Sequence, residues 1–232
     1  MQKEIDIFEN YISNYDLNIP ELYKKKKHTY RVVEFAKEIA SSINLSEDDT
    51  NKACICALFH DLGRFPQFSK YKTFQDAISI DHGDKSYEIL KELNYNDQDV
   101  LSAVKYHNKY SVPQNLSDSE KLFANITRDA DKLDILFEQL NDEYSEDYKI
   151  ADNIMKYFIE NRLIENKLNE NETIIRLRQL TFLFDINFKK SYEILKQSNI
   201  IDKKIDIIYD AIKDEKIFKI RDILNERIEE KC

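Results

Sequence analysis

Apolar side chains recur at three- and four-residue intervals almost from the start of this chain. Ile5, Phe8, Ile12 and Tyr15 keep that spacing through residues 2–15, which predicts a helix. Pro20 interrupts the pattern. Leu22, Val32, Phe35, Ala36 and Ile39 form the next stripe and predict a helix over 21–42, with His28 on or beside the apolar face. Ser46, with Asp49 three residues on, reads as a capping box that opens a third helix through "NKACICALFHD". Gly63 is placed to stop that helix. The stretch "RFPQFSKYKTFQDAISI", residues 64–80, is aromatic and irregular, and predicts a crossing loop with at most a helical turn. Helices follow over 82–93 and 97–108, the second carrying Val100, Leu101, Val104 and His107. Pro113 marks a turn. A longer helix starts near Ser119 and runs through "KLFANITRDADKLDILFEQL". Residues 147–229 read as three or four further amphipathic helices, none with a histidine.

Composition changes this picture in one respect, the fold class. A chain of 232 residues with 2 glycines and 3 prolines cannot supply the turns of a β-rich fold, so the class is all-α. The length suits a single domain over 1–232, with a core at about 20–140 and a helical extension at about 145–229. The net charge of -9 makes the chain a poor partner for nucleic-acid phosphates. Its one basic run, Lys24-Lys25-Lys26-Lys27, reads as a solvated helix face or as a positive rim for an anionic substrate. Cys54, Cys56 and Cys232 have no disulfide spacing, and the first two read as small buried apolar residues. The N-terminus lacks the apolar core of a signal peptide and no run approaches a membrane span. The expected setting is cytoplasmic, with no membrane partner.

The candidate chemistry lies in the histidines. There are four, His28, His60, His82 and His107, on four successive predicted elements and 32, 22 and 25 residues apart. A fifth element brings Asp129, Asp131 and Asp134 in "RDADKLD". Each element can donate a group to a common centre between packed helices. Neutral imidazole and carboxylate are ligands for Mn, Fe, Co, Ni or Zn. At a helix end His60 and Asp61 can both reach one ion, and a carboxylate can bridge two. A single histidine or aspartate on a helix is ordinarily a core or surface residue. The weight rests on the joint pattern of His-Asp-Leu-Gly-Arg after an apolar helix, one histidine upstream, two downstream, and a late Ala-Asp-Lys-Leu.

With those motifs the sequence resembles the HD-domain superfamily of metal-dependent phosphohydrolases. The resemblance covers about residues 20–140: His28 in "HTYRVVEFA", His60-Asp61 in "ALFHDLGR" and Asp131 in "DADKL". His82 in "DHGDKSYEIL" and His107 in "AVKYHNKY" are similar to the extra histidines of two-metal members. The glycine-tyrosine-proline signature of the HD-GYP branch is absent. The resemblance implies an HD-domain helical bundle and one or two divalent ions (Mn, Fe, Co, Ni, Zn or Mg). One would be held by His28, His60, Asp61 and Asp131, the other by Asp61, His82 and His107. It implies a phosphohydrolase that cleaves a phosphate ester or anhydride through a metal-activated water, with a nucleotide or related small phosphorylated molecule as substrate. Asp61 would bridge the ions. Arg64 follows the motif and reads as a phosphate-binding guanidinium or as a surface arginine. Lys85, one turn after His82, reads as a phosphate ligand or a solvated lysine. Asp81 either orients His82 or caps its helix, and Asp129 either supports a ligand histidine or pairs with Arg128. Phe68, Tyr71 and Phe74 either stack on a nucleobase or anchor the loop. The competing readings are a metal-holding nucleotide sensor without turnover and a di-iron oxygenase-type enzyme. A homodimer is compatible with the C-terminal helices.

Overall fold

The computed structural model describes residues 1–138, 144–165 and 170–232, and among them every regular element is helical. The chain divides into two compact units, Met1–Asp131 and Lys132–Cys232. The first contains α1 (Gln2–Ile12), α2 (Pro20–Ser42), α3 (Glu47–Phe59), α4 (Arg64–Tyr71), a 3₁₀ turn (Asp76–Ile78), α5 (His82–Glu92) and α6 (Gln98–Tyr106). The division falls inside α7 (Asp118–Phe137). The predicted end of this helix at Gln139 and Leu140 lies outside the described residues.

Local chemistry accounts for the boundaries. Pro20 opens α2, where its missing N–H costs nothing. Ser46 caps α3 as expected: its hydroxyl accepts from the Asp49 N–H at 3.1 Å and donates to the Asp49 carboxylate at 2.7 Å. Asp81 caps α5 and Asp97 caps α6 in the same way. With glycine so scarce, left-handed helix ends fall to Asn44, Asn94, Asn161 and Asn199, at φ between 53° and 57°.

Two expectations about the first unit change. Gly63 does not end α3 in a left-handed turn: its φ is -65° and it opens α4. What it provides is room. A Cβ there would collide with the His82 carbonyl and come within 3.0 Å of Ser86 N and Lys85 Cβ on α5. The Gly63 N–H donates to Ser86 Oγ at 2.8 Å and ties the two segments together. Residues 64–71, expected as loop, are the helix α4. Pro66 sits in its first turn, where no intrahelical donor is lost, and Phe65 is fully buried. The core of this unit joins Phe8, Leu22, Val32, Ile39, Phe59, Leu62, Phe65, Leu90 and Val104. In it α3 packs on α2 and α6, and α5 packs on α6 and α4.

The second unit holds α8 (Asp152–Ile159), α9 (Glu172–Thr181), a 3₁₀ turn (Phe182–Asp185), α10 (Lys189–Ser198), α11 (Ile200–Ile212) and α12 (Lys216–Lys231). These are more and shorter helices than the three or four expected. Asn199 and Lys213 take left-handed backbone and break the apolar pattern within a residue or two, which periodicity alone does not reveal. Lys132 pairs with Asp185 at 2.8 Å, and the buried Lys204 ammonium donates to the Glu138 carbonyl and the Gln179 side chain. Among the described residues, no helix is long and apolar enough to cross a membrane.

Candidate metal centre

The four histidines and two of the aspartates converge within the first unit. His28 lies in mid-α2, buried. His60 and His107 each stand one residue past the end of their helices, α3 and α6. At both positions the Nδ1–H donates to the carbonyl three residues back, Ala57 at 2.6 Å and Val104 at 2.8 Å. His82 opens α5, and its Nδ1 lies 2.5 Å from Asp76 Oδ2 in the 3₁₀ turn.

These bonds determine which nitrogen is available. A carbonyl or an ionised carboxylate only accepts, so the Nδ1 of His60, His82 and His107 carries the proton and their Nε2 keeps a bare lone pair. The Nε2 nitrogens face one another in two pairs. His82 Nε2 and His107 Nε2 are 3.1 Å apart, and His28 Nε2 and His60 Nε2 are 3.3 Å apart. Lone pairs of His82 and His107 at that distance have no proton to share, and only a cation relieves their repulsion.

The Asp61 carboxylate lies between the two pairs. Its Oδ2 is 3.5 Å from His28 Nε2 and 3.6 Å from His60 Nε2. Its Oδ1 is 3.5 Å from His82 Nε2 and 3.8 Å from His107 Nε2. Asp131 joins the first pair, with Oδ1 3.2 Å from His28 Nε2 and 3.7 Å from His60 Nε2. His28, His60 and Asp131 therefore form one group able to hold a cation, and His60, Asp61 and His107 form an overlapping one.

The electrostatics suit the same purpose. Burial raises the Asp61 carboxyl, but the Lys25 ammonium, with His60, His107 and Arg64, holds it well below the usual carboxylate range. Burial likewise opposes ionisation of Asp131, and the adjacent His28 and His60 side chains hold it well below the usual carboxylate range. Burial and the nearby Arg64 push His82 down to about 4, against the upward pull of Asp76 and Asp61. Burial also lowers His107. Ionised carboxylates beside the neutral imidazoles of His82 and His107 are protonation states that a divalent cation requires, and the residues fit such an ion.

Residues 26–136 match the family model of the HD domain, a span that takes in all six of these side chains. The chain carries an HD domain. Such domains are typical of metal-dependent hydrolases. Against curated proteins and against solved structures the chain has no match.

The remaining candidates are arranged differently from one another. In the HD domain Arg64 lies beside the centre, with Nε 3.4 Å from Asp61 Oδ1, yet its Nη1 is shared among Gln67, the Phe74 carbonyl and Asp76 at 2.7–2.9 Å. Lys85 turns its ammonium to Glu88 at 3.0 Å, on the surface. Asp81 caps its helix, and also accepts from Asn108 at 2.9 Å. Arg128 and Asp129 are both buried, so they are not a surface pair. Arg128 donates to the carbonyls of Tyr106, His107, Lys109 and Tyr110, holding the turn that carries His107. Phe68 and Phe74 stack with ring centroids 4.8 Å apart.

Two residues at the centre escaped the sequence reading. Lys25 Nζ lies 3.1 Å from Asp61 Oδ2 and 5.4 Å from the Phe74 ring. By sequence it belongs only to a basic run, a solvated helix face or a positive rim for an anionic substrate, although it precedes His28 by three residues and so shares its helix face. Asp76 accepts from His82 with one oxygen and from Arg64 and Gln67 with the other. Its only sequence signal is an acid in the loop just before His82.

Proposed function

We infer that this chain is a divalent-metal-dependent phosphohydrolase acting on a phosphate ester or anhydride of a nucleotide or related small phosphorylated molecule. The observation that carries this reading is the Asp61 carboxylate, each of whose oxygens faces its own pair of imidazole nitrogens. His28, His60, Asp61 and Asp131 would hold one ion, and Asp61, His82 and His107 a second. Four imidazoles among six side chains favour Mn, Fe, Co, Ni or Zn over Mg. Bound there, a divalent cation supplies Lewis acidity toward phosphoryl oxygens and acidifies a coordinated water.

The chain's own residues supply orientation and charge. Asp76 holds the His82 ring through Nδ1, and the Ala57 and Val104 carbonyls hold His60 and His107. Arg64 is a positioning residue that holds Asp76 and the Phe74 backbone. Lys25 and Arg64 flank the Phe74 ring at 5.4 and 5.6 Å. That juxtaposition of cations and an aromatic face suits a phosphorylated molecule that also has a planar group.

The test is phosphate release from a panel of nucleotides, dinucleotides and sugar phosphates, with Mn, Co, Ni and Mg in turn. The parent chain is expected to turn over at least one member, and Asp61→Ala none. A folded chain that binds metal and releases phosphate from no member would overturn the reading.

A further inference from the structure

The Asp61 carboxylate has two cationic neighbours, and they are held very differently. Arg64 is pinned, its Nη1 shared among three acceptors. Lys25 reaches Asp61 Oδ2 at 3.1 Å from a flexible stem that is 19% exposed, with its ammonium also near the Phe74 ring. Oδ2 is the oxygen that faces His28 and His60. A divalent ion held by those nitrogens would draw on this oxygen as well. The ammonium and the ion therefore claim the same lone pairs, and like charges repel strongly in a buried site.

Resting on the function inferred above, we propose that Lys25 is an exchangeable cation: it yields Asp61 Oδ2 to the metal and transfers its ammonium to a phosphate oxygen of the substrate. Lysine suits the task. Its ammonium is a point charge on a rotatable stem and can change partner, whereas the Arg64 guanidinium, held by three acceptors, cannot. Phe74 keeps the displaced ammonium at the site, since a cation over an aromatic face is still attracted there. The incoming metal brings the anion that the ammonium needs, so loss of the Asp61 contact is compensated only when phosphate binds. Metal and phosphate binding are coupled through one side chain.

The experiment titrates Mn2+ by calorimetry into chelator-treated parent, Lys25→Met and Lys25→Arg chains, then titrates inorganic phosphate into each loaded form. Lys25→Met keeps a stem of similar length over Phe74 without the charge, and circular dichroism checks its fold. Lys25→Met is expected to bind Mn2+ about tenfold more tightly. Once loaded, it is expected to bind phosphate at least about tenfold more weakly, the loss of one charge-assisted hydrogen bond. Lys25→Arg should stay near the parent for phosphate. A parent that takes up Mn2+ beside a Lys25→Met chain with unchanged or weaker Mn2+ affinity overturns this proposal alone, as does unchanged phosphate affinity. A parent that takes up no Mn2+ overturns the metal reading and the proposal with it.

Discussion

His60 and His107 come from different helices but are oriented by the same local device. Each follows the last turn of its helix and gives its Nδ1 proton to the carbonyl three residues earlier. The tautomer is thus set by local backbone, and Nε2 is the nitrogen able to bind a metal wherever the chain goes next. His82 begins a helix, so no preceding turn offers a carbonyl, and it relies on Asp76 from the loop. Asp76→Asn should therefore act on one half of the centre. Its amide is a weaker acceptor for the His82 Nδ1–H, and loss of such a partner costs about 10–100-fold in metal affinity. Calorimetry with Mn2+ should show binding at the His82 half weakened or lost while helical content is unchanged. Unaltered binding at both halves would show that Asp76 does not orient His82.

Among the elements, α2, α3 and α6 were legible from apolar periodicity, with Pro20 before α2 and the Ser46 cap of α3 marking boundaries. Leu22, Val32, Ala36 and Ile39 are buried as the stripe on α2 requires, and Ser46 caps α3 through Asp49. The segment α4 was not legible, because Phe65, Pro66 and Phe68 read as breaks in a pattern too short for periodicity to register. Gly63 was legible as special but for the wrong reason. Its backbone is ordinary, and the demand comes from α5 packed against it, which a linear reading cannot see. Gly63→Ala should cost about 1–3 kcal/mol through overpacking, read as a lowered denaturant midpoint. It should weaken metal binding too, because the His82 carbonyl is the atom that must move. A variant with parent stability would mean that α5 moves away freely.

At the scale of the whole molecule, the centre makes the chelated protein acid-sensitive. In the folded chain His82 titrates at about 4, against the ordinary 6.5, and burial lowers His107 as well. Between those values the unfolded chain binds more protons than the folded one, so stability falls as pH falls from 6.5 toward 4. Asp61 and Asp131, held below 3.8, add a second loss as pH drops through the carboxylate range. Thermal unfolding in excess chelator should give a flat midpoint above about pH 7 and a falling one below it. A midpoint constant from pH 7.5 to 5 would contradict the neutral, buried state of these imidazoles.

The all-α class was settled by the order of residues alone, and so were the residue types able to hold a metal. Helix periodicity, caps and scarce glycine are local properties, and imidazole or carboxylate chemistry belongs to the side chain itself. The same local order suggested His28, His60, Asp61, His82 and His107 as one set, spread over four successive elements, and the resemblance to the HD superfamily implied Asp131 as the sixth member. Only tertiary structure could decide which oxygen of Asp61 faces which histidines, and that Lys25 and Asp76 belong at the centre while the Lys85 ammonium turns to Glu88. Lys25 meets Asp61 across 36 residues of chain. Such partners are chosen by the packing of helices, and packing depends on distances that sequence spacing does not encode.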